Sequence, residues 1–201
     1  CVDKALYDML DIVSEGVKSM AEGELLQIQK ARRMNIREED YFKIITSKTA
    51  ALLSACTATG ARSVTEDPDT IQVMKDLGEN IGIAFQIRDD LLDYEANGLT
   101  GKIAGNDIKE SKITLPLIHA LDNASNSRKR HVLSIVKSRK KTKEEIHEVI
   151  EFVTSSGGPE YAENKMNLYR DKALAILDSY PESEVKESLR RFVSYTPSRN
   201  K

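Results

Sequence analysis

Hydrophobic residues recur at helical spacing along almost the whole chain. Steps of three and four residues place such positions on one face of an α-helix. In the first predicted helix, this face carries Leu6, Leu10, Val13 and Val17. The same spacing predicts a second helix, which Gly60 is expected to close. The stripe of this second helix comprises Phe42, Ile45, Thr49, Leu52, Leu53 and Cys56.

A third helix is predicted to begin near Asp69 or Thr70, just after Pro68, and to run to about Tyr94. Its stripe consists of Ile71, Met74, Leu77, Ile81 and Phe85.

The second half of the chain also reads as helical. Three glycines between Gly98 and Asn106 mark a loop, and Pro116 suits the first turn of the helix that follows, where its missing N–H costs nothing. No segment alternates apolar and polar residues for long enough to indicate a strand. We therefore predict an all-α fold, with residues 1–201 as one domain. Further helices are expected at residues 128–137, 142–153, 158 or 159 to 180, and 183–193.

Composition narrows the classes of function. The 30 basic and 32 acidic side chains leave a net charge of −2, which argues against a nucleic-acid-binding protein. No apolar stretch approaches the roughly 20 residues of a membrane span, and the first residues lack the features of a signal peptide. We expect Cys1 and Cys56 to be reduced thiols in a cytoplasmic protein, with Cys56 acting as a small hydrophobe. Because the chain opens with Cys1 in mid-pattern, we expect a longer gene product.

One stretch is strongly basic. Residues 124–143 hold eight Lys or Arg and no acid. The stretch forms either a patch for a phosphate-bearing partner or a solvated pair of helices with basic ends, and the second interpretation is the more ordinary.

An acidic cluster ends the third predicted helix. Gln86, Asp89 and Asp93 share a face, and Asp90 lies about 100° round the helix. Carboxylates this close repel one another, and the helix dipole disfavours negative charge at this end. A hard divalent cation offsets both costs, and Mg²⁺ typically uses one or two carboxylates together with substrate phosphates. The alternative is a solvated acidic helix end, paired with Arg88.

Three lysines accompany the cluster. Lys102 lies next to a glycine in the predicted loop, and Lys112 comes after that loop. Lys48 lies in an otherwise apolar helix. A lysine there must extend to solvent or meet an anion. Lysine acts as a mobile point charge on phosphate oxygens, so the combination indicates a site for a metal-bridged diphosphate.

These residues resemble those of a known family. FQIRDDLLDY (residues 85–94) and GKIAGNDIKESKITLPLIHAL (residues 101–121) resemble the second aspartate-rich motif and following loop of trans-isoprenyl diphosphate synthases. The resemblance extends to MAEGELLQI (residues 20–28), to KTAALLSACTATGA (residues 48–61) and, weakly, to the last residues. It implies the C-terminal part of an isoprenoid-synthase-type helical bundle, without its N-terminal helices, and a homodimer.

The resemblance also implies roles for individual residues. Asp89 would bind Mg²⁺ directly, Asp90 and Asp93 would support it through waters, and Asp107 would border the metal. Lys48, Lys102 and Asp89 would be catalytic. Residues implied to bind diphosphate are Lys48, Thr49, Gln86, Lys102, Lys112 and, in the tail, Arg199. The chain departs from the family at Ser111, where glycine is usual.

The activity implied is Mg²⁺-dependent condensation of an allylic diphosphate with isopentenyl diphosphate. The sequence EGELLQ (residues 22–27) resembles medium- and long-chain enzymes of the octaprenyl diphosphate synthase type. The first aspartate-rich motif of the family is absent, since neither DMLD (residues 8–11) nor EDPD (residues 66–69) matches it. We therefore expect this chain by itself to be inactive.

Three other functions are weighed against this one. A non-catalytic partner subunit of a heteromeric synthase would often lose the acidic motif that is intact here. A class I terpene cyclase would lack the GKxxGxD-like loop and the TLP turn. A purely structural helical module has no need of lysines around an acidic cluster.

Overall fold

The computed structural model describes residues 6–95 and 105–198, and this part of the chain is helical without a strand. A π-helical turn, Thr46–Ala50, joins α2 to α3. The α-helices are α1 (Tyr7–Arg33), α2 (Glu38–Ile45), α3 (Ala51–Arg62), α4 (Pro68–Leu92), α5 (Asn106–Lys109), α6 (Leu115–Asp122), α7 (Asn126–Lys137), α8 (Lys143–Ser155), α9 (Gly158–Asp178) and α10 (Glu184–Ser198).

Helix α4 lies at the centre of the bundle. It packs most extensively against α3 and α9. Its C-terminal half, with Ile83, Ile87 and Leu91, enters the main core. Its N-terminal half contributes Leu77 and Ile81 to a smaller cluster with α9 and α10. Burying apolar surface on several sides of α4 stabilises its position and holds the acidic end of the helix in place.

Two glycines let α4 approach its neighbours closely. A Cβ at Gly82 would lie 2.4 Å from the Cα of Ala50, in the π-helical turn. A Cβ at Gly78 would lie 2.4 Å from the carbonyl oxygen of Leu53. Any larger residue would push α4 away, so these glycines set the distance between α4 and the segment that carries Lys48.

The helix boundaries follow local capping chemistry. The Asp67 side chain accepts a hydrogen bond from the Thr70 N–H, and Pro68 occupies the first turn of α4. Thr142 and Glu145 form a capping box at the start of α8. The helices predicted after residue 120 are confirmed to within a few residues, except that α10 runs to Ser198. Pro116 lies in the first turn of α6, as predicted.

Three expectations from the first half of the chain need correction. Gly60 does not close a helix, because α3 continues to Arg62. Cys56 is exposed, so it does not act as a buried hydrophobe. In α1, Val13 is 44% exposed and Val17 is 60% exposed, so the face that they share is largely open to solvent. The inward side of α1 instead carries Gly16, which packs against α3, and Gly23, which packs against the π-helical turn. The spacing therefore identified residues that share a face, but not what covers that face.

Candidate active site

A cavity of about 330 Å³ lies where α1, α2, the π-helical turn and α4 meet the segment from α5 to α6. The structure therefore brings together most of the residues that the sequence proposes, although they come from separate elements. Those that line the cavity are Lys48, Thr49, Gln86, Asp89, Asp90, Asp107 and Lys112. Two further predicted residues, Lys102 and Arg199, lie outside the described residues, as does most of the predicted glycine loop.

Asp90 is the buried acid of the cavity, with 6% of its surface exposed. Its carboxylate accepts hydrogen bonds from the hydroxyl of Tyr41 at 2.7 Å and from the amide of Gln86 at 2.9 Å. Burial raises its pKa to about 7, and the nearby charges of Asp107 and Asp89 add to this rise, whereas the two hydrogen bonds oppose it. The cavity thus holds a carboxylate whose hydrogen-bond donors are neutral groups.

Thr49 orients Gln86. The Thr49 hydroxyl donates a 2.8 Å hydrogen bond to the side-chain amide oxygen of Gln86. The NH₂ group of the same amide therefore faces Asp90. The π-helical turn that carries Thr49 lies against α4 at Gly82. The chain Thr49–Gln86–Asp90 therefore connects this close contact to the position of the carboxylate.

Lys48 is partly exposed and pairs with a carboxylate of the protein itself, so the structure combines features of both sequence interpretations. Its ammonium group lies 2.6 Å from a carboxylate oxygen of Glu24 and 2.7 Å from the side-chain oxygen of Gln27. Both partners come from α1 and line the same cavity. Because the Lys48 side chain remains 41% exposed, the ion pair can exchange its carboxylate for another anion at low cost.

Asp93, which the sequence predicts as a metal residue, does not line the cavity and instead connects the end of α4 to α5. Each of its carboxylate oxygens accepts a 2.9 Å hydrogen bond from a backbone N–H at the start of α5, one from Asn106 and one from Asp107. Burial raises the pKa of Asp93, and these hydrogen bonds act against that rise. The position of Asp107 at the cavity is therefore tied to the end of α4.

Lys112 follows α5 and faces two carboxylates. Its ammonium group lies 3.1 Å from Asp107 and 2.8 Å from Glu110. Burial disfavours its charge, but the hydrogen bonds and charges of Glu110 and Asp107 outweigh burial and raise its pKa. Lys112 is thus held protonated at the cavity wall.

The donor chemistry of the cavity fits a hard divalent cation held partly by its substrate. No three His, Cys, Asp or Glu side chains among the described residues form a ready-made cage. Asp89, Asp90 and Asp107 instead line the cavity from two elements. Mg²⁺ is usually bound in this way, through one or two carboxylates together with phosphate oxygens. Arg88, considered above as a partner for the acidic cluster, pairs with Glu95.

Fold and site together define an all-helical protein whose carboxylates and lysines surround one cavity, a donor set suited to a metal-bound diphosphate. The chain belongs to the polyprenyl synthetase family, which matches residues 2–153. The chain is 33% identical over 182 residues to an octaprenyl diphosphate synthase of Escherichia coli, covering 90% of this chain and 56% of that protein. It is also 33% identical over 193 residues to a short chain isoprenyl diphosphate synthase of Methanothermobacter thermautotrophicus, covering 96% of this chain and 59% of that protein.

Solved structures confirm the fold. The chain resembles a geranylgeranyl pyrophosphate synthase of Bacteroides thetaiotaomicron with a TM-score of 0.89 and 38% identity, covering 96% of this chain and 64% of that one. It resembles a polyprenyl synthase of Caulobacter crescentus, solved with calcium and isoprenyl diphosphate, with a TM-score of 0.88 and 32% identity, covering 98% of this chain and 61% of that one. The chain therefore spans less than two thirds of the length of these relatives.

None of the helices in the described residues combines the length and the hydrophobicity that a membrane span requires.

The sequence did not identify several residues that contact the site. Tyr41 is hydrogen-bonded to Asp90, and Glu110 pairs with Lys112. Residues 22–27 were noted only for the family resemblance and product length, yet Glu24 and Gln27 hold Lys48. A signal for Tyr41 existed, since it stands seven residues before Lys48 and therefore shares its helix face in a nearly continuous helix. No comparable local signal connects α1 to Lys48.

Proposed function

We propose that this chain is the diphosphate-binding part of a Mg²⁺-dependent trans-polyprenyl diphosphate synthase, which condenses an allylic diphosphate with isopentenyl diphosphate. The observation that carries the proposal is that two lysines and two aspartates line one cavity, namely Lys48, Lys112, Asp89 and Asp90. A longer product of the octaprenyl type is favoured by residues 22–27, whereas the similar proteins include both octaprenyl and short-chain synthases.

Each residue has a task in this reaction. Asp89 and Asp90 would hold Mg²⁺, with Asp107 nearby, and the bound ion would neutralise charge that develops on the leaving diphosphate. Lys48 exchanges Glu24 for a phosphate oxygen, and Thr49 and Gln86 orient the site around it. Lys102, by family resemblance, would contact the same diphosphate.

The bond changes follow from leaving-group stabilisation. The allylic C–O bond breaks and the diphosphate takes its electron pair. The double bond of isopentenyl diphosphate then forms the new C–C bond, and loss of a proton restores neutrality at carbon. Lysines placed at the diphosphate act where charge develops, and stabilisation of this kind is usually the largest single contribution to catalysis.

The apolar side of the cavity suits a prenyl chain. Ile28, Ile36, Ile44 and Ile45 line it on the side of α1 and α2.

We also propose a homodimer of the whole protein. The exposed apolar residues of α1, including Val17 and Leu25 at 60% and 67%, support that proposal because apolar surface of this kind favours association.

Binding and elongation call for separate tests. We expect the chain itself to bind inorganic diphosphate with Mg²⁺ and to catalyse no elongation, because its sequence has no first aspartate-rich motif. Isothermal titration with Mg²⁺ and inorganic diphosphate tests binding, with Asp89→Asn as the impaired variant. Asp76→Asn, an exposed position on the same helix, is the matched control.

Elongation is measured as Mg²⁺-dependent incorporation of labelled isopentenyl diphosphate into products of defined length, with this chain and with any longer gene product that includes it. Absence of Mg²⁺-dependent diphosphate binding, or equal binding by wild type and Asp89→Asn, would overturn the proposed function. Products shorter than octaprenyl would overturn only the proposed chain length.

A further inference from the structure

Lys141, in the basic stretch between α7 and α8, connects that stretch to the wall of the site. Its ammonium group donates hydrogen bonds to the carbonyl oxygen of Ser138 at 2.7 Å and the hydroxyl of Ser111 at 3.0 Å, and more weakly to the carbonyl oxygen of Lys109 at 3.3 Å. Two of these three oxygens lie at the end of α5 and in the turn that follows it, about 30 residues earlier in the chain. One side chain thus joins two segments that are distant in sequence.

The turn that Lys141 holds has a backbone that glycine would adopt more readily. Ser111 has a φ of +59°, in the left-handed region, which disfavours residues with a Cβ. The adjacent N–H of Lys112 donates a 2.8 Å hydrogen bond to the carbonyl oxygen of Asp107. Because this turn lies between Asp107 and Lys112, its conformation determines where the Lys112 side chain enters the cavity.

The basic neighbours of Lys141 do not share this role. Lys140 and Arg139 are exposed, whereas Lys141 is half-buried. Earlier in the stretch, Arg128 pairs with Glu148 and Lys129 with Asp122. Burial lowers the pKa of Lys141, against a raising effect of Glu145. Half-burial of a lysine among uncharged oxygens has a desolvation cost, which a side chain that only solubilises the surface would avoid.

We propose that Lys141 is a positioning residue, which fixes the turn through Ser111 and the Lys109 carbonyl so that Lys112 faces the diphosphate. The identity of the ligand, a diphosphate, rests on the proposed function. The contact of Lys141 with the turn does not depend on that function. Ser111 gives Lys141 a hydroxyl partner that the glycine usual in the family would lack.

Lys141→Met tests the proposal, because it keeps most of the aliphatic stem and removes the donors. Lys140→Met removes the same charge from an exposed neighbour and is the control. We expect Lys141→Met to accelerate hydrogen exchange at the amides of Ser111 and Lys112, and to weaken Mg²⁺-dependent binding of inorganic diphosphate by about fivefold. Lys140→Met should leave both quantities unchanged.

A double-mutant cycle with Lys112→Met separates positioning from general stabilisation. If Lys141 acts through Lys112, then Lys141→Met should not weaken diphosphate binding further in the Lys112→Met protein. A loss of similar size in both backgrounds would overturn the proposal, and so would unchanged amide exchange in Lys141→Met. If wild type binds no diphosphate, the proposed function fails, and amide exchange then decides by itself whether Lys141 holds the turn.

Discussion

The hydroxyl of Tyr41 donates a 2.7 Å hydrogen bond to the carboxylate of Asp90, which lies 49 residues later in the chain. Tyr41 is 4% exposed and Asp90 is 6% exposed. The bond therefore joins α2 to α4 inside the protein, at the edge of the candidate site. Burial and the neighbouring Asp90 raise the pKa of Tyr41 well above its ordinary value, so the phenol stays protonated and remains a donor.

Replacing Tyr41 with Phe should destabilise the protein. The change leaves an oxygen of the buried Asp90 carboxylate without its donor, which costs about 1–3 kcal/mol. Urea denaturation at pH 8, where Asp90 is charged, measures the free energy of unfolding. Tyr7→Phe, at a site 58% exposed, is the control and should have no effect. Equal stability of Tyr41→Phe and wild type would contradict the importance of this bond.

Asp90 should make stability depend on pH in the protein without metal. Its pKa is raised from 3.8 to about 7 in the folded state, so the folded protein binds the proton more tightly than the unfolded chain does. The contribution of Asp90 to the free energy of unfolding should therefore be largest below pH 4, fall as the pH rises towards 7, and level off above that. A rise of about three units corresponds to at most about 4 kcal/mol.

Asp90→Asn tests this assignment, because it removes the titrating group and should flatten that part of the pH profile. Asp11→Asn, on the exposed face of α1, is the control and should keep the slope. The measurement is the free energy of unfolding from urea titrations at several pH values between 4 and 8. Identical slopes for wild type and Asp90→Asn would show that another group is responsible.

Gly82→Ala should impair both stability and diphosphate binding. The new methyl group would lie 2.4 Å from the Cα of Ala50, so α4 and the π-helical turn must separate. Overpacking of this kind costs about 1–3 kcal/mol. Separation also moves Thr49 away from Gln86. Thermal unfolding and titration with Mg²⁺ and inorganic diphosphate measure the two effects.

Gly60→Ala is the matched control for that substitution. Gly60 also lies within a helix, but nothing is within 4 Å of the Cβ that alanine would add. The variant should gain about 0.5–1 kcal/mol, because alanine loses less conformational freedom than glycine. If both variants were stabilised, the close contact at Gly82 would not restrict the helix as the structure indicates.

Glu24→Gln should strengthen diphosphate binding. Lys48 lies 2.6 Å from the carboxylate of Glu24, which competes with any anion that enters the cavity. Glutamine keeps the shape and an acceptor oxygen but removes the charge. A partly exposed ion pair is worth at most about 1 kcal/mol, so we expect binding to improve by about two- to fivefold.

Calorimetric titration with Mg²⁺ and inorganic diphosphate measures this gain, and Glu22→Gln is the control. Glu22 lies on the same helix and pairs with Lys18 in an exposed position. Weaker binding by Glu24→Gln would mean that Glu24 positions Lys48 rather than competing for it.

The acidic motif and its lysines were recognisable in the sequence because their chemistry is unusual for a stable helix end. The contacts of Asp90 and Lys48 were not. Tyr41 reaches Asp90 only because α2 docks beside α4, and Glu24 reaches Lys48 only because α1 crosses the π-helical turn. Such docking depends on packing between segments that are far apart in the chain, which local periodicity does not report.

At Gly60 the sequence predicted a helix end that the structure does not have. Glycine often ends a helix, but its cost inside one is only about 1 kcal/mol, and α3, which packs against α1 and α4, continues past Gly60 to Arg62. Val13 and Val17 show a further limit, since their spacing correctly placed them on one face without revealing that this face is exposed.

By itself, the sequence determined the all-helical character of this protein and the approximate positions of its later helices. It also pointed to an acidic cluster accompanied by lysines, because these properties depend on residue type and local spacing. Only the tertiary structure decided that Asp90 is buried against Tyr41, that Lys48 is held by Glu24, and that Lys141 contacts the turn before Lys112. These contacts result from helix docking, whose distances are set by side-chain volume and close glycine contacts rather than by the order of residues within any one helix.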